Sequence, residues 1–343
     1  MKTFDWTVIG AGPAGIAAVG KLIDKGVKPL DIAWIDPAFK AGDLGKKWRR
    51  VSSNTKVKLF LNYLEECQSF RFGVAPDFEL KHINGESTCL LGLVADPLQW
   101  VSDHLKLAVH SIEGKCQSLV LKNRQWEVSL ENETFHSKNV ILAYGSIPKK
   151  LSYPNIEEIP LEIAIDDQKI TGVENDTVAV FGSSHSSMIV LQNLLKANAK
   201  KVINFYNSMT KYAVFFDDWI LFDNTGLKGQ AAHWARENID GTWPKNLERY
   251  HISDPHFKKY LSSCNKVVYT VGFQRRTSLE FPQVSEISYN ERNGIIAPGL
   301  FGFGIAFPEK IEDRFGNEEC NVGLWKFMTY INKVLPLWMK YAP

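Results

Sequence analysis

The residues best suited to chemistry form a glycine turn, Gly10-Ala11-Gly12-Pro13-Ala14-Gly15, set between an apolar run and a helical pattern. Glycine at these three places permits, in order, a tight reversal, approach of bare backbone to a pyrophosphate, and close packing of helix on strand. The helix that follows turns free N–H groups and the positive end of its dipole toward the turn, which suits a phosphate. Asp36 lies 21 positions after Gly15. That is about the spacing at which a carboxylate accepts bonds from the adenosine ribose hydroxyls. Turn, helix and acid together predict a dinucleotide site.

A second turn, Gly182-Ser183-Ser184-His185-Ser186-Ser187, has the same placement but keeps only the first glycine. Ser184 and Ser187 are small enough to let a pyrophosphate approach. His185 reads either as a phosphate contact or as a surface turn residue. No carboxylate follows the strand ending at Tyr206, whereas Asn207, Ser208 and Lys211 do. That favours the 2′-phosphate of NADPH over the free ribose of NADH. Arg275 and Arg276 read as phosphate contacts or as a solvated pair. The basic run Lys46, Lys47, Arg49 and Arg50 carries the same two readings.

The elements that position these turns can be read from the same sequence. Thr7-Val8-Ile9 is a buried parallel strand, with Ile16, Val19, Leu22 and Ile23 on one face of the next helix and Gly26 placed to end it. A strand from Asp31 to Ile35 ends at Asp36. Gln117–Leu121 and Gln125–Leu130 alternate as an antiparallel pair, with Asn123 and Asn132 at the turns. Val140–Leu142 runs into Ala143-Tyr144-Gly145, and Lys266–Tyr269 runs into Thr270-Val271-Gly272. Between them lies a second strand–turn–helix–strand unit, Thr177–Phe181, the Gly182 turn, Met188–Leu195 and Lys201–Tyr206.

The bulk properties exclude several classes. The chain has 343 residues, 45% hydrophobic and 23% charged, with a formal net charge of +2. This predicts a globular chain of two lobes with no electrostatic case for a nucleic-acid partner. No apolar stretch is long enough for a membrane span, and no leader precedes the first strand. The five cysteines are scattered and form no C-x-x-C pair. They suit a reducing, cytoplasmic compartment and offer no dithiol relay. Asp217, Asp218 and His233 match no metal-ligand spacing, so no metal site is expected.

Together the motifs resemble those of the flavoproteins with two dinucleotide-binding domains. Within that superfamily they are most similar to the flavin-containing and N-hydroxylating monooxygenases. Gly10–Gly15 resembles the FAD fingerprint, Gly45-Lys46-Lys47-Trp48 a loose G-G-x-W segment, and Ser53-Asn54-Thr55-Lys56 the stretch that faces the flavin. Ala143-Tyr144-Gly145 and Val271-Gly272-Phe273 stand where the two A-T-G linkers belong. Gly299–Gly304 is similar to the strand beside the isoalloxazine. The F-x-G-x-x-x-H fingerprint of the monooxygenases is absent.

The resemblance implies an α/β fold of two Rossmann-like three-layer domains, the NAD(P) domain inserted within the FAD domain. Residues 1–150 and 265–343 would bind FAD. Residues 151–264 would bind NADPH or NADH and carry a lid-like insertion at about 212–251. FAD contacts are expected at Gly10, Gly12, Pro13, Ala14, Gly15, Asp36, Lys47, Trp48, Ala143, Gly145 and Gly304. They are also expected at Val322 and Gly323, where a helix start with Asn321 as cap would point at the flavin pyrimidine oxygen. Nucleotide contacts are expected at Gly182, Ser184, His185, Ser186 and Lys211. Asn54 is the expected catalytic residue, because a neutral amide donates to an oxygen without adding charge. The substrate would be a small molecule. A reductase, an oxidase, or a flavin-bound protein without turnover are the alternatives.

Overall fold

The computed structural model describes residues 2–283 and 287–343. By its contacts the chain divides into two units. The first takes the chain up to Arg49, then Lys56–Ser146 and Arg275–Pro343; the second takes Arg50–Thr55 and Ile147–Gln274.

The first unit opens with β1 (Thr3–Ile9), α1 (Pro13–Asp24), β2 (Ile32–Asp36), α2 (Gly42–Lys46), α3 (Val57–Glu65) and α4 (Leu91–Ala108). Then come β3 (His110–Glu113), β4 (Ser118–Lys122), β5 (Gln125–Ser129) and β6 (Thr134–Leu142). The chain leaves through β7 (Ser146–Pro148). In the second unit it forms β8 (Glu157–Glu158), α5 (Leu161–Ala164), β9 (Thr177–Phe181), α6 (His185–Lys196) and β10 (Lys201–Tyr206). It continues through β11 (Val214–Phe215), β12 (Ile220–Leu221), α7 (Gly229–Asn238), β13 (Leu247–His251), α8 (Phe257–Ser262) and β14 (Lys266–Tyr269). After β15 (Phe273–Arg275) the first unit is completed by β16 (Ile295–Ala297), β17 (Leu300–Gly302), β18 (Glu309–Glu312), β19 (Glu318–Asn321) and α9 (Leu324–Trp338).

In the first unit β17, β6, β1, β2 and β3 run parallel in that order. The meander of β4 and β5 joins β6 antiparallel. Its tight turn places Asn123 and Arg124 at φ +48° and +62°, the left-handed conformation that Asn tolerates. Side chains on β2 alternate between two cores. Ile32 and Trp34 pack with α1, α4 and α9, whereas Ala33 and Ile35 pack with the meander. In the second unit β13, β10, β9, β14 and β8 form a parallel sheet around Phe181, Ile203, Phe205 and Tyr269. After β1 the chain steps to β2 on one side, and β6 pairs on the other. After β9 it steps to β10, and β14 pairs opposite. Each glycine turn therefore sits at the carboxyl end of a strand where the connection reverses, the crevice in which such sheets take ligands.

Several boundaries differ from the sequence expectation: the first unit gives up residues 50–55, and the chain leaves it at Ser146 rather than 150. β14 lies in the second unit, parallel to β9, so the return begins at Arg275 rather than 265. Of the expected lid at 212–251, only part is an insertion: the β11–β12 hairpin and α7. Leu247–His251 is instead the edge strand of the sheet, paired parallel with β10. Beyond buried Leu247 every residue of β13 is half-buried, so the strand carries no alternating pattern for the sequence to reveal.

Candidate functional site

At the first turn, the glycines are required by contacts that can be named. Gly10 has φ +110°, and a Cβ there would lie 2.3 Å from the Ala143 carbonyl oxygen. A Cβ at Gly15 would lie 1.8 Å from the Gly10 carbonyl oxygen. Gly12 is different. Its φ is an ordinary −79°, and a Cβ would meet only Gly42 Cα, at 3.8 Å. The protein itself leaves room for a side chain at Gly12, so bare backbone there serves something the chain does not supply. Gly12 caps α1 with no side-chain hydrogen bond, and Pro13 occupies its first turn. The donors of that turn are thus left for an outside acceptor, as FAD phosphates would require.

Two side chains that motif reading missed hold this turn. Trp34 Nε1 donates to the Gly10 carbonyl at 2.9 Å, and Tyr63 Oη donates to the Pro13 carbonyl at 2.5 Å. A buried tryptophan or tyrosine needs a partner for its polar tip; that was the available signal. Burial also pushes the Tyr63 hydroxyl well above its ordinary pKa, so it stays a donor.

Asp36, expected as a ribose contact, also holds the protein's own backbone. Its Oδ2 accepts the Ala11 N–H at 2.8 Å, and its Oδ1 accepts the Ala38 and Phe39 N–H groups, each at 2.8 Å. The carboxylate joins the Gly10 turn to the loop after β2. A carboxylate has about four acceptor positions; one on Oδ2 is left for a ribose hydroxyl.

The chain returns to this turn from the far end. Gly304 has φ +79°, and a Cβ there would sit 2.5 Å from Ala14 Cβ. Gly145, φ +75°, follows Ala143 at the end of β6. Helix α9 starts after Val322, with Gly323 at φ +151° as its N-cap and no side-chain bond. Asn321, expected as that cap, instead donates from Nδ2 to Glu309 Oε2 at 3.1 Å across the β18–β19 hairpin. The hairpin register decides this, and α9 begins with no side-chain cap at Gly323. Lys47 and Trp48 N–H both return to the Asp43 carbonyl at the end of α2, and both side chains are half-buried.

The two arginines are engaged by the protein rather than forming a simple solvated pair. Arg276 pairs with Asp43 at 2.6 Å. Arg275 donates to the Ala306 and Ile287 carbonyls and stacks on Phe307, 4.2 Å from its ring centre. Both sit where the chain re-enters the first unit and fasten that return.

The second turn shows what its missing glycines changed. Gly182 keeps φ +129°, and a Cβ there would be 2.3 Å from Thr270 Oγ1. Where Gly15 presses on Gly10, Ser187 Oγ instead donates to the Gly182 carbonyl at 2.9 Å. Asn204 Nδ2 donates to the same carbonyl at 2.8 Å, and its Oδ1 accepts from Arg249 Nε at 2.9 Å. Here hydrogen bonds to the Gly182 carbonyl take the place of the glycine contact seen at the first turn. Ser184 caps α6 through its backbone only and is exposed; Ser186 is half-buried.

His185 is not a surface turn residue. It opens α6, and Nε2 donates to the Ser52 carbonyl at 3.1 Å. Burial, and then the nearby Lys228, hold its pKa below the ordinary value against the opposing Ser52 bond. The ring is therefore neutral near pH 7 with its proton on Nε2. Ser52 belongs to the second unit together with Asn54, which is exposed and accepts from Thr55 Oγ1 at 3.3 Å.

Past β10, the ammonium of Lys211 lies 4.9 Å from the Phe222 ring centre. Arg249 stands over Tyr206 at 4.8 Å, and Arg236 over Tyr212 at 4.3 Å. The sequence did not point to Arg249 as a neighbour of this strand end. It lies 43 positions after Tyr206, and only the parallel pairing of β13 with β10 sets it opposite Asn204.

No group of three metal-ligating side chains occurs among the described residues, and no described helix is long and apolar enough to cross a membrane. No family model matches the chain. It is 33% identical to monooxygenase AgnR1 from Paecilomyces divaricatus, over 97% of each chain. Its fold is similar to that of a flavin-containing monooxygenase from Stenotrophomonas maltophilia, with a TM-score of 0.68, 14% identity and 99% of each chain covered. It is also similar to that of the bacillithiol disulfide reductase Bdr from Staphylococcus aureus, with a TM-score of 0.62, 11% identity and 99% of each chain covered.

Proposed function

The chain belongs to the family of monooxygenase AgnR1, and on that premise we propose that it is an FAD-dependent monooxygenase that draws hydride from NADPH and places an oxygen atom in a small organic substrate. The observation that carries the flavin is the first turn. Gly12 is bare although the protein has room for a side chain there, and Gly304 returns against Ala14 to complete the cradle. FAD, when bound, supplies the redox chemistry: it takes the hydride and passes electrons to dioxygen. The chain's own residues supply placement. The open first turn of α1 receives the pyrophosphate, and the free acceptor position of Asp36 receives the ribose. The uncapped start of α9 offers N–H groups and positive dipole to negative charge on the reduced ring.

The nicotinamide nucleotide is assigned to the second turn, around Gly182, Ser184 and Ser186. NADPH is favoured over NADH because Asn207, Ser208 and Lys211, and no carboxylate, directly follow β10, although Asp240 accepts from Tyr212 Oη nearby. Anaerobic mixing tests this. NADPH is expected to bleach the flavin several-fold faster than NADH; equal rates would remove the 2′-phosphate assignment. Admitting oxygen then separates chemistries. Electrons recovered entirely as hydrogen peroxide, whatever organic substrate is offered, would assign an oxidase instead.

Asn54 is assigned to the reacting oxygen. Its exposure beside buried Ser53 supports a side chain available to a ligand. Asn54→Ala is expected to leave the anaerobic reduction rate unchanged and raise the hydrogen peroxide formed per NADPH roughly tenfold, the scale of one hydrogen bond to charge. An unchanged peroxide yield would remove the role.

A further inference from the structure

Residues 50–55 interrupt the first unit. The chain leaves it at Arg49, spends six residues in the second unit, and re-enters at Lys56. Neighbouring arginines mark the exit. Arg49 pairs with Asp96 at 2.8 Å, and its carbonyl accepts the Gly92 N–H at 2.7 Å, both in the first unit. Arg50 pairs with Asp167 at 2.8 Å and Asp166 at 3.4 Å, both in the second. On re-entry, Lys56 pairs with Glu86 and the Val57 N–H bonds the Ser87 carbonyl at 2.9 Å. The middle of the strap is held by the His185 Nε2 bond to the Ser52 carbonyl.

The strap's two attachments lead to the two glycine turns. His185 is the first residue of α6, directly after Ser184 of the second turn. Ten residues before Ser52, Gly42 opens α2 against the first turn, where a Cβ would come within 2.8 Å of Gly12 Cα. A displacement of the first turn of α6 draws on the Ser52 carbonyl, and the chain between Ser52 and Gly42 ends against Gly12. We propose that this strap couples the two nucleotide turns, with His185 as the positioning residue that fastens it, so that a nucleotide at the second turn tightens the hold of the first on FAD. The inference rests on the assignment of FAD and NADPH to these turns. It needs no titration, because the neutral ring already presents its Nε2 proton to the carbonyl.

Coupling between binding sites is reciprocal, which provides the test. The dissociation constant of FAD is measured on diluted holoenzyme by ultrafiltration, with and without saturating NADP+. That of NADP+ is measured on holoenzyme and on flavin-free chain. The wild type is expected to hold FAD roughly fivefold or more tighter with NADP+ present, and to show the same factor for NADP+. In His185→Ala that factor falls to about one. His185→Gln, whose amide N–H can reach the same carbonyl, restores it. Arg50→Ala, which frees the strap without touching either turn, lowers it and decides the matter if His185→Ala does not fold. A wild-type factor near one with both nucleotides bound, or an undiminished factor in His185→Ala or Arg50→Ala, overturns the coupling and leaves the assignment of the turns standing. Failure of the wild type to bind FAD or NADP+ removes that assignment, and the coupling with it.

Discussion

Gly12→Ala is expected to purify as a folded, colourless protein, and Gly10→Ala to lose stability. Both expectations follow from where a single methyl group would go. At Gly12 the backbone is already in a conformation any residue adopts, and the nearest atom to a new Cβ is Gly42 Cα at 3.8 Å, ordinary van der Waals contact. The methyl group costs the fold almost nothing and occupies the space over the α1 N-terminus assigned to the pyrophosphate. At Gly10 the new Cβ would lie 2.3 Å from the Ala143 carbonyl oxygen, at φ +110°. Overpacking of this kind costs ~1–3 kcal/mol or more, and the backbone conformation adds to it. Flavin content per chain and the urea midpoint of the flavin-free protein separate the two. If Gly12→Ala retains stoichiometric FAD, the phosphates do not lie over Gly12.

Asp36→Ala is expected to destabilise the chain by ~3 kcal/mol or more, before any effect on the cofactor, because three backbone N–H groups lose their acceptor and each buried unsatisfied group costs ~1–3 kcal/mol. All three are held at 2.8 Å, and Asp36 is 9% exposed. Asp36→Asn keeps an acceptor for Ala38 and Phe39 but turns an amide N–H toward that of Ala11. It should fall between the wild type and Asp36→Ala in denaturation. A fully stable Asp36→Ala that had lost only FAD affinity would show that the ribose contact, not the three turn bonds, is what the carboxylate provides.

Much of the fold was legible because its signals are local. A buried strand, a glycine turn and an amphipathic helix lie within about 25 residues of one another at Gly10 and again at Gly182. The meander at Ser118–Ser129 was equally plain, since alternation and a turn asparagine need no distant partner. The site was legible only in part. Trp34, Tyr63 and Asn204 hold the two turns through hydrogen bonds made across the fold, and Arg249 donates to Asn204 in turn. A lone polar atom on an apolar strand does not say which carbonyl it will meet. Asn321 went the other way: a good helix cap by type, it was claimed by Glu309 once the hairpin register set the two opposite one another.

What the sequence determined by itself is therefore the presence of two dinucleotide turns and the strand–helix units that carry them. Glycine's freedom at positive φ and the helical and strand periods are properties of neighbouring residues. What only the tertiary structure decided is the employment of the polar residues between them. Asp36 fastens a turn, Arg275 and Arg276 fasten the return of the chain, and residues 50–55 belong with the second unit. Hydrogen bonds and ion pairs are short-ranged and directional. Which of several eligible partners a side chain takes is settled only when packing brings one within about 3 Å.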